Sequence, residues 1–120
     1  MKDTTRIGNR AESAVVAWLS AHKHKVIAQN WHTKSCEIDI ISLARNHQGE
    51  VEIYFTEVKM RQTSDFGGGL EAITPAKLRQ MHRAAAFFLL KHPRFAHLQP
   101  LLAAASVNGD FSLQDFIVLA

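Results

Sequence analysis

Residues 36–42 and 51–59 are rich in β-branched and aromatic types and flank the polar tip 45–49, so they read as a β-hairpin. Side chains alternate along a strand, which puts Val51, Ile53, Phe55, Glu57 and Lys59 on one face. An apolar row thus ends in an acid and an amine where more hydrophobic residues would be expected. Asp39 and Glu57 average to position 48, inside the tip, so a regular hairpin sets them opposite each other. Opposed residues lie about 4.5–5.5 Å apart at Cβ, too close for two bare carboxylates without a cation or proton between them. A divalent metal resolves the conflict, since carboxylates are hard oxygen ligands for Mg²⁺ or Mn²⁺. Such a metal polarises a phosphoryl oxygen and lowers the pKa of a bound water. Lys59, two residues on, is placed to hold the attacking water or to offset charge growing on a phosphate. The chemistry implied is phosphodiester hydrolysis.

A fourth residue joins this set from the first helix. From about residue 4 to residue 22 the apolar spacing is helical, with Ala11, Ala14, Val15, Trp18 and Leu19 on one stripe and Asp3, Thr4 or Thr5 available as caps. Glu12 lies on or beside that stripe. It reads either as an edge residue reaching water or, if the hairpin acids are near, as a further metal ligand or proton acceptor. Lys23, His24 and Lys25 are expected to close the helix with positive charge. Residues 26–31 form a short strand whose Trp31 is expected in core or rim packing.

After the hairpin, Gly67, Gly68 and Gly69 lie in a polar loop that reads equally as a flap over a groove or as a plain connector. Thr74-Pro75 is a strong helix start, and the helix is expected to run to about Lys91 with Leu78, Met81, Ala85, Phe88 and Leu89 on its buried stripe. Lys77, Arg79 and Arg83 are the densest basic patch of the chain. With Arg61 they are the candidate contacts to a phosphate backbone, a solvated helix face being the commoner explanation of such charge. Residues 101–107 and 113–119 read as strands about a hairpin-type turn at Asn108-Gly109, the first less securely because alanine is a weak strand former. The expected fold is α/β, a mixed sheet flanked by helices in the order α-β-β-β-α-β-β, forming a single domain over residues 1–120.

Bulk properties are consistent with this reading. The chain has 120 residues, 47% of them apolar and 21% charged, as in one ordinary globular domain. A net charge of +3 permits a polyanionic partner. The lone cysteine, Cys36, excludes an internal disulfide and a multi-cysteine zinc site, and most of the seven histidines are expected at the surface. No apolar run approaches a membrane span, the polar opening from Met1 to Arg6 does not read as a signal peptide, and cytoplasm is the expected compartment.

An Asp on one strand, Glu-x-Lys on the next and a Glu from the first helix resemble the PD-(D/E)XK nuclease superfamily, here as Asp39, Glu57-Val58-Lys59 and Glu12. More narrowly, Asn9 to Glu12, Asn30-Trp31, Glu37-Ile38-Asp39, Glu57 to Arg61, Phe66-Gly67 and Thr74 to Lys77 resemble, in order, the YraN-like family of small bacterial predicted endonucleases. The resemblance implies a restriction-endonuclease-like fold, similar to the archaeal Holliday-junction resolvases. It also implies a Mg²⁺- or Mn²⁺-dependent endonuclease acting on DNA, of branched or other non-standard form, in which Asp39 and Glu57 ligate metal, Lys59 is catalytic and Glu12 is the accessory acid. Resolvase-like cutting of two strands implies a homodimer. The chain departs from the family's pattern at Ala11 and Cys36, where glycine is usual, and lacks the Arg-Phe-Asp usual near residues 100–102. Two rival functions are a nucleic-acid-binding module without turnover, and a protein-interaction scaffold in which Asp39, Glu57 and Lys59 form only a salt-bridge cluster.

Overall fold

The hairpin forms in the expected register, and the rest of the chain is built around it. The computed structural model describes residues 2–61 and 73–120, with side chains from residue 8 onward. The elements are α1 (Lys2–Ala21), β1 (Lys25–His32), β2 (Glu37–Arg45), β3 (Val51–Met60), α2 (Pro75–Lys91), a short 3₁₀ turn (Pro93–Phe95), β4 (Gln99–Val107) and β5 (Leu113–Val118). The Gly67 to Gly69 stretch and Phe66 fall outside the described residues.

The strands form one sheet in the order β1-β2-β3-β4-β5. β1, β2 and β3 are an antiparallel meander, β3 and β4 are parallel, and β4 and β5 are antiparallel. The parallel pair forces a long crossover between β3 and β4, and α2 lies within it. Pairs from Ile40↔Thr56 to Arg45↔Val51 all centre on residue 48. The tip closes through Asn46, whose N–H donates to Glu50 O, and through Gly49, whose φ of 81° is the left-handed conformation that glycine tolerates.

α1 covers one face of the sheet and α2 the other. Ala11, Val15 and Leu19 of α1 pack with Ile40, Ala105 and Val107, and Met81, Ala84, Ala85 and Phe88 of α2 pack with Ile41, Ile53, Phe55 and Leu102. β4 is buried from Leu102 to Val107 and paired with β3 and β5 on either side, so pairing and burial override alanine's weak strand preference. Pro100 is tolerated because it sits near the start of that strand.

The ends of the elements depart from expectation in several places. α1 begins at Lys2, so Asp3, Thr4 and Thr5 lie in its first turn rather than at a cap. No basic residue falls in its last turn. The chain leaves the helix through Lys23 at φ 70°, with Lys23 N–H on Ser20 O and His24 N–H on Leu19 O, the bond pattern of a left-handed helix terminus. His24 is therefore half-buried rather than on the surface: its Nδ1 is 2.9 Å from Ser42 Oγ, and its ring meets Tyr54 edge-on. Burial lowers its pKa below the ordinary imidazole value. His92 is likewise half-buried, stacked on Phe88 at the end of α2. The β4–β5 turn is longer than a two-residue hairpin. Asn108 N–H donates to Ser112 O, and Phe111 rather than Gly109 takes the positive φ, 67°. Trp31 packs as expected, edge-on to Phe88 at 5.4 Å. Among the described residues no helix is long and apolar enough to cross a membrane.

Candidate active site

Strands β2 and β3 part beyond the Ile40↔Thr56 pair, and the acids stand at the point of divergence. Here Val58 N–H of β3, two residues past Thr56, donates to Asp39 Oδ2 at 2.8 Å. A side chain thus completes the ladder while β3 continues alongside β4, and this bond fixes the Asp39 carboxyl beside Glu57. Asp39 is 8% exposed and Glu57 6%. Two carboxylates this deeply buried are unusual, because desolvation penalises each charge and the pair adds mutual repulsion.

Cations and donors offset part of that cost. Lys77, from the first turn of α2, places Nζ 3.4 Å from Glu57 Oε2, and Lys59 Nζ stands 3.9 Å from the same oxygen. The compensation is incomplete. Burial, then the Asp39 charge, pushes the Glu57 carboxyl up to about 7, against the pull of Lys77 and Lys59. Asp39 is also raised, chiefly by burial, with the Val58 hydrogen bond opposing. Glu57 Oε1 is buried and has no hydrogen-bond partner among the described residues.

Glu12 belongs to this neighbourhood from the α1 side. Its carboxyl is raised first by burial and next by the Asp39 charge, while a hydrogen bond from the Asn30 side chain pulls it down. Among the described residues, however, no three His, Cys, Asp or Glu side chains are grouped so as to hold a metal ion. The structure therefore brings Asp39 and Glu57 together and leaves Glu12 within electrostatic range of Asp39. A divalent cation fits the two hairpin acids: it would give Glu57 Oε1 a partner and relieve the Asp39 repulsion that, with burial, raises the Glu57 carboxyl.

Of the basic residues singled out from sequence, Arg79 and Arg83 lie exposed on α2. Lys77 does not share their face; it turns inward to Glu57 and also donates to Gln80 Oε1 at 3.0 Å. Arg61 continues β3, its N–H on Val107 O at 2.7 Å. The α2 start is held by Thr74, whose hydroxyl accepts from Lys77 N–H at 3.1 Å, and by Gln80, whose side-chain amide donates to Ser35 O at the entry to β2. Sequence reasoning placed Asn30 in a family motif without a site role, and missed Gln80 and the inward turn of Lys77. The one available signal was a lysine in the first turn of a helix, where the dipole disfavours a cation. The clefts lined by Glu52, Arg94 and Phe95, and by Lys23, Arg45 and Tyr54, lie toward the hairpin tip, away from the acids.

Residues 11–100, which carry both hairpin acids, Lys59 and Lys77, match the uncharacterised protein family UPF0102. The chain belongs to this YraN-like family. A UPF0102 protein of Leifsonia xyli is 41% identical over 72% of this chain and 69% of its own length. A Bifidobacterium longum member is 38% identical over 71% of this chain, the match spanning 65% of that relative, slightly less than two thirds. An Alcanivorax borkumensis member is 30% identical over 81% of this chain and 74% of its own length.

Proposed function

We propose that this UPF0102 protein is a divalent-metal-dependent endonuclease that hydrolyses phosphodiester bonds in DNA, with branched or other non-standard DNA as its substrate class. The observation that carries the reading is the pair of buried acids at the β2–β3 divergence, one of them holding a carboxylate oxygen without a partner among the described residues, beside two lysines. A fold that needed only stability would more simply place apolar side chains there. Asp39 and Glu57 would hold Mg²⁺ or Mn²⁺, which when bound supplies an activated water and a Lewis acid for the phosphoryl oxygen.

The remaining steps belong to the chain's own side chains. Lys59 is about one-third exposed, with its stem on the β3 face that carries Glu57. Its ammonium can orient the water or meet the negative charge that develops on the phosphate. Glu12, with its raised pKa, is suited to accept the proton that the water gives up. Arg61, Arg79 and Arg83 supply phosphate contacts, and Lys77 joins them when it leaves Glu57. Two sites in a homodimer would cut two strands.

The test is cleavage of single-stranded, duplex and branched DNA, and of RNA, with Mn²⁺, Mg²⁺ or EDTA. The expected result is metal-dependent cutting that falls by about 10²–10⁴-fold in Lys59→Ala, with binding retained, and is lost in Asp39→Ala. Binding without cutting on every substrate would make the protein a non-catalytic module. No binding, together with a large stability loss in Lys59→Ala, would make the cluster a scaffold element.

A further inference from the structure

Lys77 occupies a position that local rules argue against. It lies in the first turn of α2, and its N–H receives the Thr74 cap. At this end of a helix the peptide dipoles favour negative groups and repel an ammonium. The first turn of α2 contains no acid to compensate. The compensation comes from β3, where Glu57 Oε2 lies 3.4 Å from Lys77 Nζ, nearer than the motif lysine Lys59 at 3.9 Å. The side chain is 22% exposed, so the pair is partly desolvated and water screens it only weakly. A second acceptor, Gln80 Oε1 at 3.0 Å, holds the ammonium from the helix side, and Gln80 is itself tied to Ser35 O.

We propose that Lys77 is a resident counter-ion of Glu57 in the metal-free protein, displaced when a divalent cation binds the acids and thereby released toward a substrate phosphate. This rests on the proposed metal site and adds an occupant that competes for it. Both cations seek the same carboxylate, so they exclude one another by charge. The Gln80 contact gives the displaced ammonium a place to remain, and the helix dipole favours its departure from the helix end. Lys77 is thus a positioning residue that offsets part of the Glu57 charge until metal arrives, and by reciprocity its release couples metal binding to substrate binding.

A positive charge near a carboxylate lowers its proton affinity by about one to three units of pKa. A divalent cation meets at least that opposition, reduced because a lysine can swing aside. Mn²⁺ titrated calorimetrically into the full chain is therefore expected to bind about tenfold more tightly to Lys77→Met than to the wild type. Lys77→Gln is a second variant should methionine perturb the helix start, with the same tightening expected. In EDTA both Lys77 variants are expected to melt below the wild type, and saturating Mn²⁺ should narrow the gap. Binding that Asp39→Ala abolishes but neither Lys77 variant strengthens would overturn the counter-ion role and leave the metal site standing. Absence of Mn²⁺ binding in the wild type and every variant would overturn both.

Discussion

Glu57→Gln is expected to stabilise the metal-free protein by on the order of 3 kcal/mol at about pH 8, and to change its stability little at about pH 4. The folded carboxyl titrates near 7 instead of at its ordinary 4.5, so the folded state holds on to a proton that the unfolded chain releases. The sign follows: a raised carboxyl contributes stability that is fully present below the unfolded value and is lost as pH rises through about 7. Glutamine keeps the size of the protonated acid and carries no charge to desolvate. Urea denaturation of both proteins across this range measures the effect. A wild-type curve that does not fall between the two pH values, or a glutamine variant no more stable at alkaline pH, would show that the Glu57 charge is already fully compensated. The same substitution removes a proposed metal ligand, so stability and activity are expected to change in opposite directions, as is usual where a site is built at a cost to the fold.

Phe88→Ala is expected to lower stability by about 3–5 kcal/mol, the range for a buried aromatic that leaves a cavity. Phe88 is 3% exposed and is the hub of the α2 face, with ring centroids 5.4 Å from Trp31, 5.8 Å from Phe55, 4.1 Å from His92 and 6.1 Å from Phe95. It fastens the C-terminal half of α2 to the sheet while Thr74 and Gln80 hold the other end. Loosening the helix also loosens Lys77. A denaturation midpoint corresponding to a loss below about 1 kcal/mol would mean that α2 docks mainly through its first turns.

Features set by local pattern could be read from the sequence, and features set by distant contacts could not. The hairpin register followed from period-two alternation and a polar tip, but the ladder stops at Ile40↔Thr56, one pair short of the expected Asp39–Glu57 opposition, and Asp39 takes the Val58 amide there. The Thr74-Pro75 start of α2 followed from cap chemistry. The strand at Gln99–Val107 was harder, because its alanines state no preference and become strand only when β3 and β5 pair on either side. His24 resembled its charged neighbours Lys23 and Lys25, and only the left-handed exit at Lys23 turns it in against Ser42. Lys77 resembled Arg79 and Arg83, since nothing local says that the helix start meets the divergence of β2 and β3. The acid pair was therefore legible, and the nearer of the two cations that partly offset it was not.

The central claim is that two buried acids form a divalent-cation site at that divergence. Its most direct test is a ¹³C NMR titration of the Glu57 carboxyl, from acid to alkaline pH, with and without Mg²⁺. The expected result is a midpoint near 7 in the metal-free protein that moves well down when Mg²⁺ is added and does not move in Asp39→Asn. A Glu57 carboxyl that titrates near its ordinary 4.5 and ignores Mg²⁺ would contradict the claim.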